Sequence, residues 1–247
     1  MNKTFVLIVL LMVTGCVTTG NVVDKSKMAE GYYMKGLSHL QEKNYEMASV
    51  EFHRSLQTDS SYKQAYYGLG IISDNQGKYE DAQKFYQKAI DQDRDFSEAY
   101  NALGVVYSKQ KKWKEAVKAF NKALDNKLYT TPHIPYLNLG DLYMEQREYG
   151  KAAEAYRESK RFVNIEWTVM KLGTALFEAG KVKEAIAEFQ EGVGFAPENA
   201  NLRYSLALAF LKDGNKESAL AEFKKAVDLA PKSELAQKAN DYIKTLR

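Results

Sequence analysis

The side chains of this 247-residue sequence that could take part in chemistry are few. The chain has one cysteine, Cys16, whose thiol could accept an acyl group, and three histidines, His39, His53 and His133, which could ligate a metal. The histidines lie far apart in sequence, and neither H-E-x-x-H nor G-x-S-x-G occurs. The carboxylates are many, but none falls beside a partner in a predicted apolar pocket. We therefore predict that the protein is not an enzyme and uses no metal and no cofactor.

Cys16 follows a segment that is typical of a lipoprotein signal peptide. Residues 5–13 form an apolar run that is shorter than the ~20 residues needed to span a bilayer. The run leads into the letters V-T-G-C, which end at Cys16 and resemble a bacterial lipobox. We predict that residues 1–15 are a removed signal peptide, that Cys16 carries the lipid, and that residues 16–28 are a tether. No second cysteine exists in the sequence to form a disulfide.

The residue after the cysteine favours one of the two membranes of a Gram-negative cell. It is Val17, not the aspartate that retains many such lipoproteins in the inner membrane. The resemblance to these lipoproteins implies a lipid-anchored protein in the inner leaflet of the outer membrane, with its body facing the periplasm. Several acyl chains, at ~0.8 kcal/mol per buried CH₂, would make that anchor stable.

Charge and composition exclude one class of partner and favour one class of fold. The formal net charge is only +3, and lysine and arginine alternate with acidic residues along the chain, as on solvated helix faces. We predict no nucleic-acid partner and no small-molecule substrate, because neither a basic stripe nor a ligand motif is present. Only 4 prolines occur, which favours helices.

From Ala29 onward the sequence resembles itself at a spacing of about 34 residues. Each copy has a small residue, an alanine twelve positions later, and an aromatic residue four positions after that alanine. The six sets are Gly36, Ala48, Phe52; Gly70, Ala82, Tyr86; Gly104, Ala116, Phe120; Gly140, Ala152, Tyr156; Gly173, Ala185, Phe189; and Ala207, Ala219, Phe223.

This pattern resembles the tetratricopeptide repeat, a helix–turn–helix unit in which small residues let the two helices approach closely. The resemblance implies an all-α, right-handed superhelical solenoid of six repeats, because one helix pair cannot bury its apolar stripe alone. Gly77, Gly180 and Gly214 fall between the two helices of their repeats and predict left-handed turn residues. The predicted repeats are 29–62, 63–96, 97–130, 133–165, 166–199 and 200–233, and a capping helix follows at 234–247.

The repeat spacing is irregular in the middle of the chain. Gly104 and Gly140 are 36 residues apart, whereas Gly140 and Gly173 are 33 apart. The sequence therefore predicts an insertion near residues 129–132, a shortening near 162–166, and altered packing between repeats three to five.

The concave face of a repeat solenoid, lined by the first helix of each repeat, is its usual binding surface. We predict that this face binds a protein segment, and that its N-terminal half, near the membrane tether, is the docking surface. The alternative is that several of these residues pack against their own or neighbouring helices, in which case the convex face or the insertion at residues 128–132 would be the docking surface. The predicted protein-binding residues are Tyr33, Leu37, Tyr67, Ile71, Asn101, Val105, Leu137 and Tyr204.

With a lipobox, six repeats and residues 128–132 leading into an N-L-G run at 138–140, the chain resembles the type IV pilus pilotin family, whose members are called PilF, PilW or Tgl. Some members have a central cysteine pair, which this chain lacks. The resemblance implies a protein partner, a secretin subunit, whose outer-membrane localisation and multimerisation the protein would promote. The alternative is a periplasmic adaptor lipoprotein for cell-wall hydrolases, outer-membrane protein assembly or polysaccharide export.

Overall fold

The structure, a computed structural model, describes residues 24–246. Cys16, the predicted signal peptide and most of the predicted tether lie outside these residues. Within residues 24–246, no helix is long and apolar enough to cross a membrane. The helices are α1 (Lys25–Gln41), α2 (Tyr45–Thr58), α3 (Lys63–Asn75), α4 (Tyr79–Gln92), α5 (Ser97–Lys109), α6 (Trp113–Asp125), α7 (His133–Glu145), α8 (Tyr149–Phe162), α9 (Glu166–Glu178), α10 (Val182–Phe195), α11 (Ala200–Lys212), α12 (Lys216–Leu229) and α13 (Glu234–Leu246).

These helices form the predicted solenoid of six helix–turn–helix repeats, and α13 covers its C-terminal end. Every helix packs against the next one along the chain. The first helices of neighbouring repeats also touch, α1 with α3, α3 with α5, α5 with α7, and α9 with α11. These first helices therefore make an inner layer, and the second helices make an outer layer.

The first helix begins earlier than the sequence analysis predicted. It starts at Lys25 instead of Ala29, so the last residues of the predicted tether are helical. Asp24 is the physical reason, because its carboxylate accepts hydrogen bonds from the amides of Ser26 and Lys27, at 3.1 and 3.5 Å. Such an N-cap satisfies amides that have no partner within the helix.

At the repeated small residue, an aromatic ring of the second helix packs directly against the backbone of the first helix. A Cβ atom added to Gly104 would lie 2.6 Å from the ring of Phe120, and the glycines of four other repeats face their aromatic residue in the same way. In repeat one, the Phe52 ring is also held by Gly68 of the next repeat, at 2.6 Å from an added Cβ. Glycine at these positions is therefore required by a close approach.

The turns within the repeats contain one left-handed residue each. The predicted glycines take positive φ angles, and three repeats use a longer side chain at the same place. The residues and angles are Gly77 (72°), Gly180 (78°), Gly214 (87°), Lys43 (59°), Lys111 (58°) and Arg147 (59°).

The predicted irregularities lie at the connections between repeats. The α6–α7 connection, residues 126–132, has seven residues, whereas the α8–α9 connection, residues 163–165, has three. The other connections between repeats have four. As a result, α6 and α7 touch less than any other pair of consecutive helices within the described part of the chain.

Candidate protein-binding groove

The inner layer of helices lines a groove, and its N-terminal part contains a cavity of about 530 Å³. We call it the N-terminal cavity. It is built by α1, α3, the start of α5 and the long α6–α7 connection, so it draws on three repeats. Its lining includes Tyr33, Tyr67, Phe96, Glu98, Leu128 and Tyr129.

Aromatic rings form the apolar wall of this cavity. The Tyr67 ring lies between Phe96 and Tyr86, with centroid distances of 5.4 and 5.7 Å. The Tyr33 ring packs against Phe52 at 5.6 Å, and both tyrosines remain partly exposed. Aromatic pairs at such distances add stability beyond the area that they bury. The wall is therefore a rigid part of the fold that also faces solvent.

The long α6–α7 connection is held against this wall by hydrogen bonds. The side-chain amide of Asn126 donates to the backbone carbonyl of Asp95 at 3.0 Å. Its oxygen accepts from the amide of Leu128 at 2.9 Å, and the amide of Tyr129 donates to the Asn126 carbonyl at 3.2 Å. This turn directs Leu128 outward, and 87% of that residue is exposed at the rim of the cavity.

The charges of the N-terminal cavity are only partly neutralised. Lys63 pairs with Asp93, and its ammonium lies 4.8 Å from the centre of the Phe96 ring. That contact is a cation–π interaction. Asp95 and Glu98 also line the cavity, and neither makes an ion pair within residues 24–246. The cavity therefore carries more negative than positive charge.

Burial and this negative charge raise the pKa of two tyrosine hydroxyls of the cavity further above its ordinary value. Burial, with a smaller effect of the Glu98 carboxylate, raises the pKa of Tyr67 to about 12. Burial also raises the pKa of Tyr129, despite a hydrogen bond with Thr131 that lowers it. Both hydroxyls are protonated at physiological pH, as ordinary tyrosines are, and can donate hydrogen bonds to a partner's carbonyl oxygen.

The central part of the groove satisfies its polar groups internally. Asp141 accepts a hydrogen bond from the Tyr156 hydroxyl and pairs with Lys171. The Asn138 side-chain amide donates to the Asn101 side-chain oxygen at 2.8 Å, which links α5 to α7. Two further cavities, of about 280 and 470 Å³, share Asp141 in their walls.

The predicted binding residues do not form one continuous surface. Tyr33 and Tyr67 line the N-terminal cavity, and Val105 lines the first of the two central cavities. Leu37 and Ile71 are half-buried and pack against the apolar core.

The other three predicted residues lie further along the solenoid. Asn101 is half-buried and bonded to Asn138. Leu137 is a correction, because it is only 7% exposed and belongs to the core shared with Leu172. Tyr204 is half-buried near the C-terminal end, where its ring packs against Phe223 and Tyr242.

Phe96 and Glu98 were missed as parts of the candidate site, and the α6–α7 connection was predicted only as a second choice of docking surface. The signal for the connection was the 36-residue spacing between Gly104 and Gly140, which predicts extra residues there. The three histidines lie on different helices, and residues 24–246 contain no group of His, Cys, Asp and Glu able to hold a metal ion.

Comparison with known protein families agrees with this architecture. Three family models, all described as tetratricopeptide repeat, match this chain. One matches residues 29–62 and 135–161, the second matches residues 64–128, and the third matches residues 170–234. Together these segments make up well over half of the sequence, and the chain belongs to the tetratricopeptide-repeat family.

Several solved structures share the fold over most of both chains. PilF of Pseudomonas aeruginosa has a TM-score of 0.73 at 21% identity, and the match covers 88% of this chain and 98% of that one. PilW, a widely conserved type IV pilus biogenesis factor, has a TM-score of 0.71 at 19% identity, covering 87% and 99%. YrrB, a repeat protein with an unusual peptide-binding site, has a TM-score of 0.65 at 24% identity, covering 77% and 97%. At these identities the likeness shows the fold alone.

One curated relative matches a shorter part of the sequence. The human intraflagellar transport protein 88 homolog is 28% identical over 91 residues, which is 34% of this chain. The match spans 11% of that relative's length, so it concerns only part of a much larger protein.

Proposed function

We propose that this protein is a lipid-anchored tetratricopeptide-repeat scaffold that acts as a pilotin, which binds the type IV pilus secretin and promotes its outer-membrane localisation and multimerisation. The observation that carries the proposal is the N-terminal cavity, with its aromatic wall, an exposed leucine at the rim, and carboxylates that make no ion pair within residues 24–246. The likeness to PilF and PilW over nearly their full lengths supports the choice of a pilus partner.

The chemistry of the N-terminal cavity favours an extended segment of a partner protein. The rings of Tyr33 and Tyr67 give a large contact area and lose little side-chain entropy on binding. Leu128 would cover an apolar side chain of the segment, and Glu98 would attract a basic one. These three features lie within one cavity, so a short segment can reach all of them.

The proposed anchor is the diacylglyceryl group on Cys16, which would place the body in the periplasm at the inner leaflet of the outer membrane. Its support is the V-T-G-C sequence after a short apolar run. The scaffold would then meet secretin subunits at the membrane in which they assemble.

The test is purification of the lipidated full-length protein from detergent-solubilised envelope, with identification of the proteins that accompany it. The variant Glu98→Gln/Leu128→Ser removes one charge and one exposed apolar side chain without touching the core. We expect secretin recovery to fall by about tenfold, which corresponds to about 1.4 kcal/mol. The matched control is Glu154→Lys, on the exposed face of α8, which should leave recovery unchanged.

Two results would contradict the proposal. Recovery of cell-wall hydrolases, outer-membrane assembly proteins or export subunits without secretin would favour the adaptor function instead. Normal secretin recovery with Glu98→Gln/Leu128→Ser would show that the secretin binds elsewhere on the solenoid.

A further inference from the structure

One edge of the solenoid is formed by the connections between repeats, and we call it the loop edge. Successive helices of a solenoid alternate in direction, so each first helix begins and each second helix ends at this edge. The first residue of α1, Lys25, lies there too. Hydrogen bonds between neighbouring connections hold the edge together, as between Asn126 and the Asp95 carbonyl.

The second half of the loop edge exposes large apolar side chains. They occur in the α8–α9 and α10–α11 connections or in the helix ends beside them, whereas the first two connections display Asp59, Ser60 and Ser61, and Asp93, Arg94 and Asp95. The exposed apolar residues are Phe162 (55%), Ile165 (49%), Trp167 (46%) and Phe195 (50%), and Leu128 is set apart from them because it belongs to the rim of the N-terminal cavity.

The centre of this apolar set is fixed in its exposed position. The Thr168 hydroxyl donates to the carbonyl of Val163 at 2.9 Å and accepts from the amide of Ile165 at 3.2 Å. The Phe162 ring stacks on Tyr136, with a centroid distance of 6.1 Å. These internal hydrogen bonds hold the short connection in the conformation that exposes Ile165.

The charges beside the set are paired with each other. Lys160 contacts Glu188 and Glu191, both at 2.7 Å, and Arg161 contacts Glu158 at 3.0 Å. The surface around the apolar set therefore has little net charge, and it is better suited to contact an apolar environment than a charged partner.

The proposed lipid anchor, on which this inference rests, lies on the same side of the molecule. Eight residues, 17–24, lie between Cys16 and Lys25, the first residue of α1. Even fully extended, this segment spans at most about 32 Å. The start of α1 is thereby kept near the bilayer, at the same edge as the apolar set, and Trp and Phe are residues that settle at membrane interfaces.

We propose that the second half of the loop edge inserts its apolar side chains into the membrane interface, so that a lipid surface is the second ligand of this protein. The solenoid would then stand with one edge on the membrane and its groove open to the periplasm.

The two tryptophans allow a direct test. Trp167 belongs to the loop edge, whereas Trp113 begins α6 at the opposite edge, beside the turn within its repeat. The processed, lipidated protein would be reconstituted into phosphatidylethanolamine–phosphatidylglycerol vesicles that contain brominated phosphatidylcholine, which quenches nearby indoles. We expect W113F, which keeps Trp167, to be quenched at least about twofold more than W167F, which keeps Trp113.

Flotation of the vesicles tests the lipid anchor independently of the membrane contact made by the loop edge. Protein that fails to float, or that lacks the acyl chains by mass spectrometry, would refute the proposed anchor. Protein that floats while Trp167 and Trp113 are quenched equally would overturn the membrane contact and leave the anchor intact, with the apolar set then free for a protein. Phe162→Ser/Ile165→Ser in the W113F chain should abolish the excess quenching without loss of flotation.

Discussion

The N-terminal and central parts of the groove are built on the same repeat but differ in how their polar groups are used. In the N-terminal cavity, Asp95 and Glu98 have no ion pair within residues 24–246. In the central groove, Asp141 is already engaged by Tyr156 and Lys171. Groups that are satisfied within the chain gain little from a partner, so the difference indicates where the scaffold is ready to bind.

The largest expected effect concerns the aromatic wall of the cavity, because Tyr67 serves both fold and groove. Tyr67→Ala removes a ring that packs on Tyr86 and Phe96. We expect the free energy of unfolding to fall by about 2–4 kcal/mol, measured by urea denaturation. Loss of binding by this variant would therefore not identify a contact residue.

Tyr129→Ala is the matched control for that prediction. Tyr129 lines the same cavity from the α6–α7 connection, outside the helices. Tyr129→Ala should lower the free energy of unfolding by less than about 1.5 kcal/mol. If Tyr67→Ala unfolds at the same urea concentration as the unmodified protein, the ring is a free surface group and the wall is not structural.

A pair of equivalent tyrosines compares the two regions directly. Tyr86 and Tyr156 occupy the same position of repeats two and four, both are buried, and burial raises the pKa of both hydroxyls. Only Tyr156 donates a hydrogen bond, to Asp141, within the described part of the chain. Tyr156→Phe should therefore destabilise the protein by about 1–1.5 kcal/mol, the low end for a charged acceptor, because the Asp141 side chain is 46% exposed.

Tyr86→Phe should change the unfolding free energy by less than about 0.5 kcal/mol, measured by the same thermal or urea transition. Equal losses in Tyr86→Phe and Tyr156→Phe would mean that the Asp141 contact does not contribute, and the contrast between the two regions would lose its basis.

The repeat skeleton could be predicted from the sequence because it depends on local periodicity. A glycine such as Gly104 and an aromatic such as Phe120 recur at a fixed spacing, and each pair meets within one helix hairpin. The longer α6–α7 connection was predicted from the same repeat spacing, which lengthens between Gly104 and Gly140. The early start of α1 was missed because Asp24 was read as part of a polar tether instead of an N-cap.

The site was less predictable because it depends on contacts between repeats. Projection onto a helix placed Leu137 on the inner face, but it cannot tell which inner residues a neighbouring helix covers. It also could not show that residues 126–130 lie beside Tyr33 and Tyr67, which belong to the first and second repeats and come about 95 and 61 residues earlier in the sequence. Such proximity is set by the superhelix.

The smallest expected effect lies at the border between the two regions, where Asn138 donates to Asn101 at 2.8 Å. Both side chains are half-exposed, so water can replace either partner, and Asn101→Ala should cost about 0.5–1 kcal/mol of unfolding free energy. We also expect secretin recovery with this variant to stay within about twofold of the unmodified protein, because Asn101 does not line the N-terminal cavity. Asn138→Ala, from the other side of the same hydrogen bond, should behave alike in both measurements. A tenfold loss of recovery with Asn101→Ala alone, at unchanged stability, would extend the binding site into the central groove, and the satisfied polar groups there would then have to exchange partners when the secretin binds.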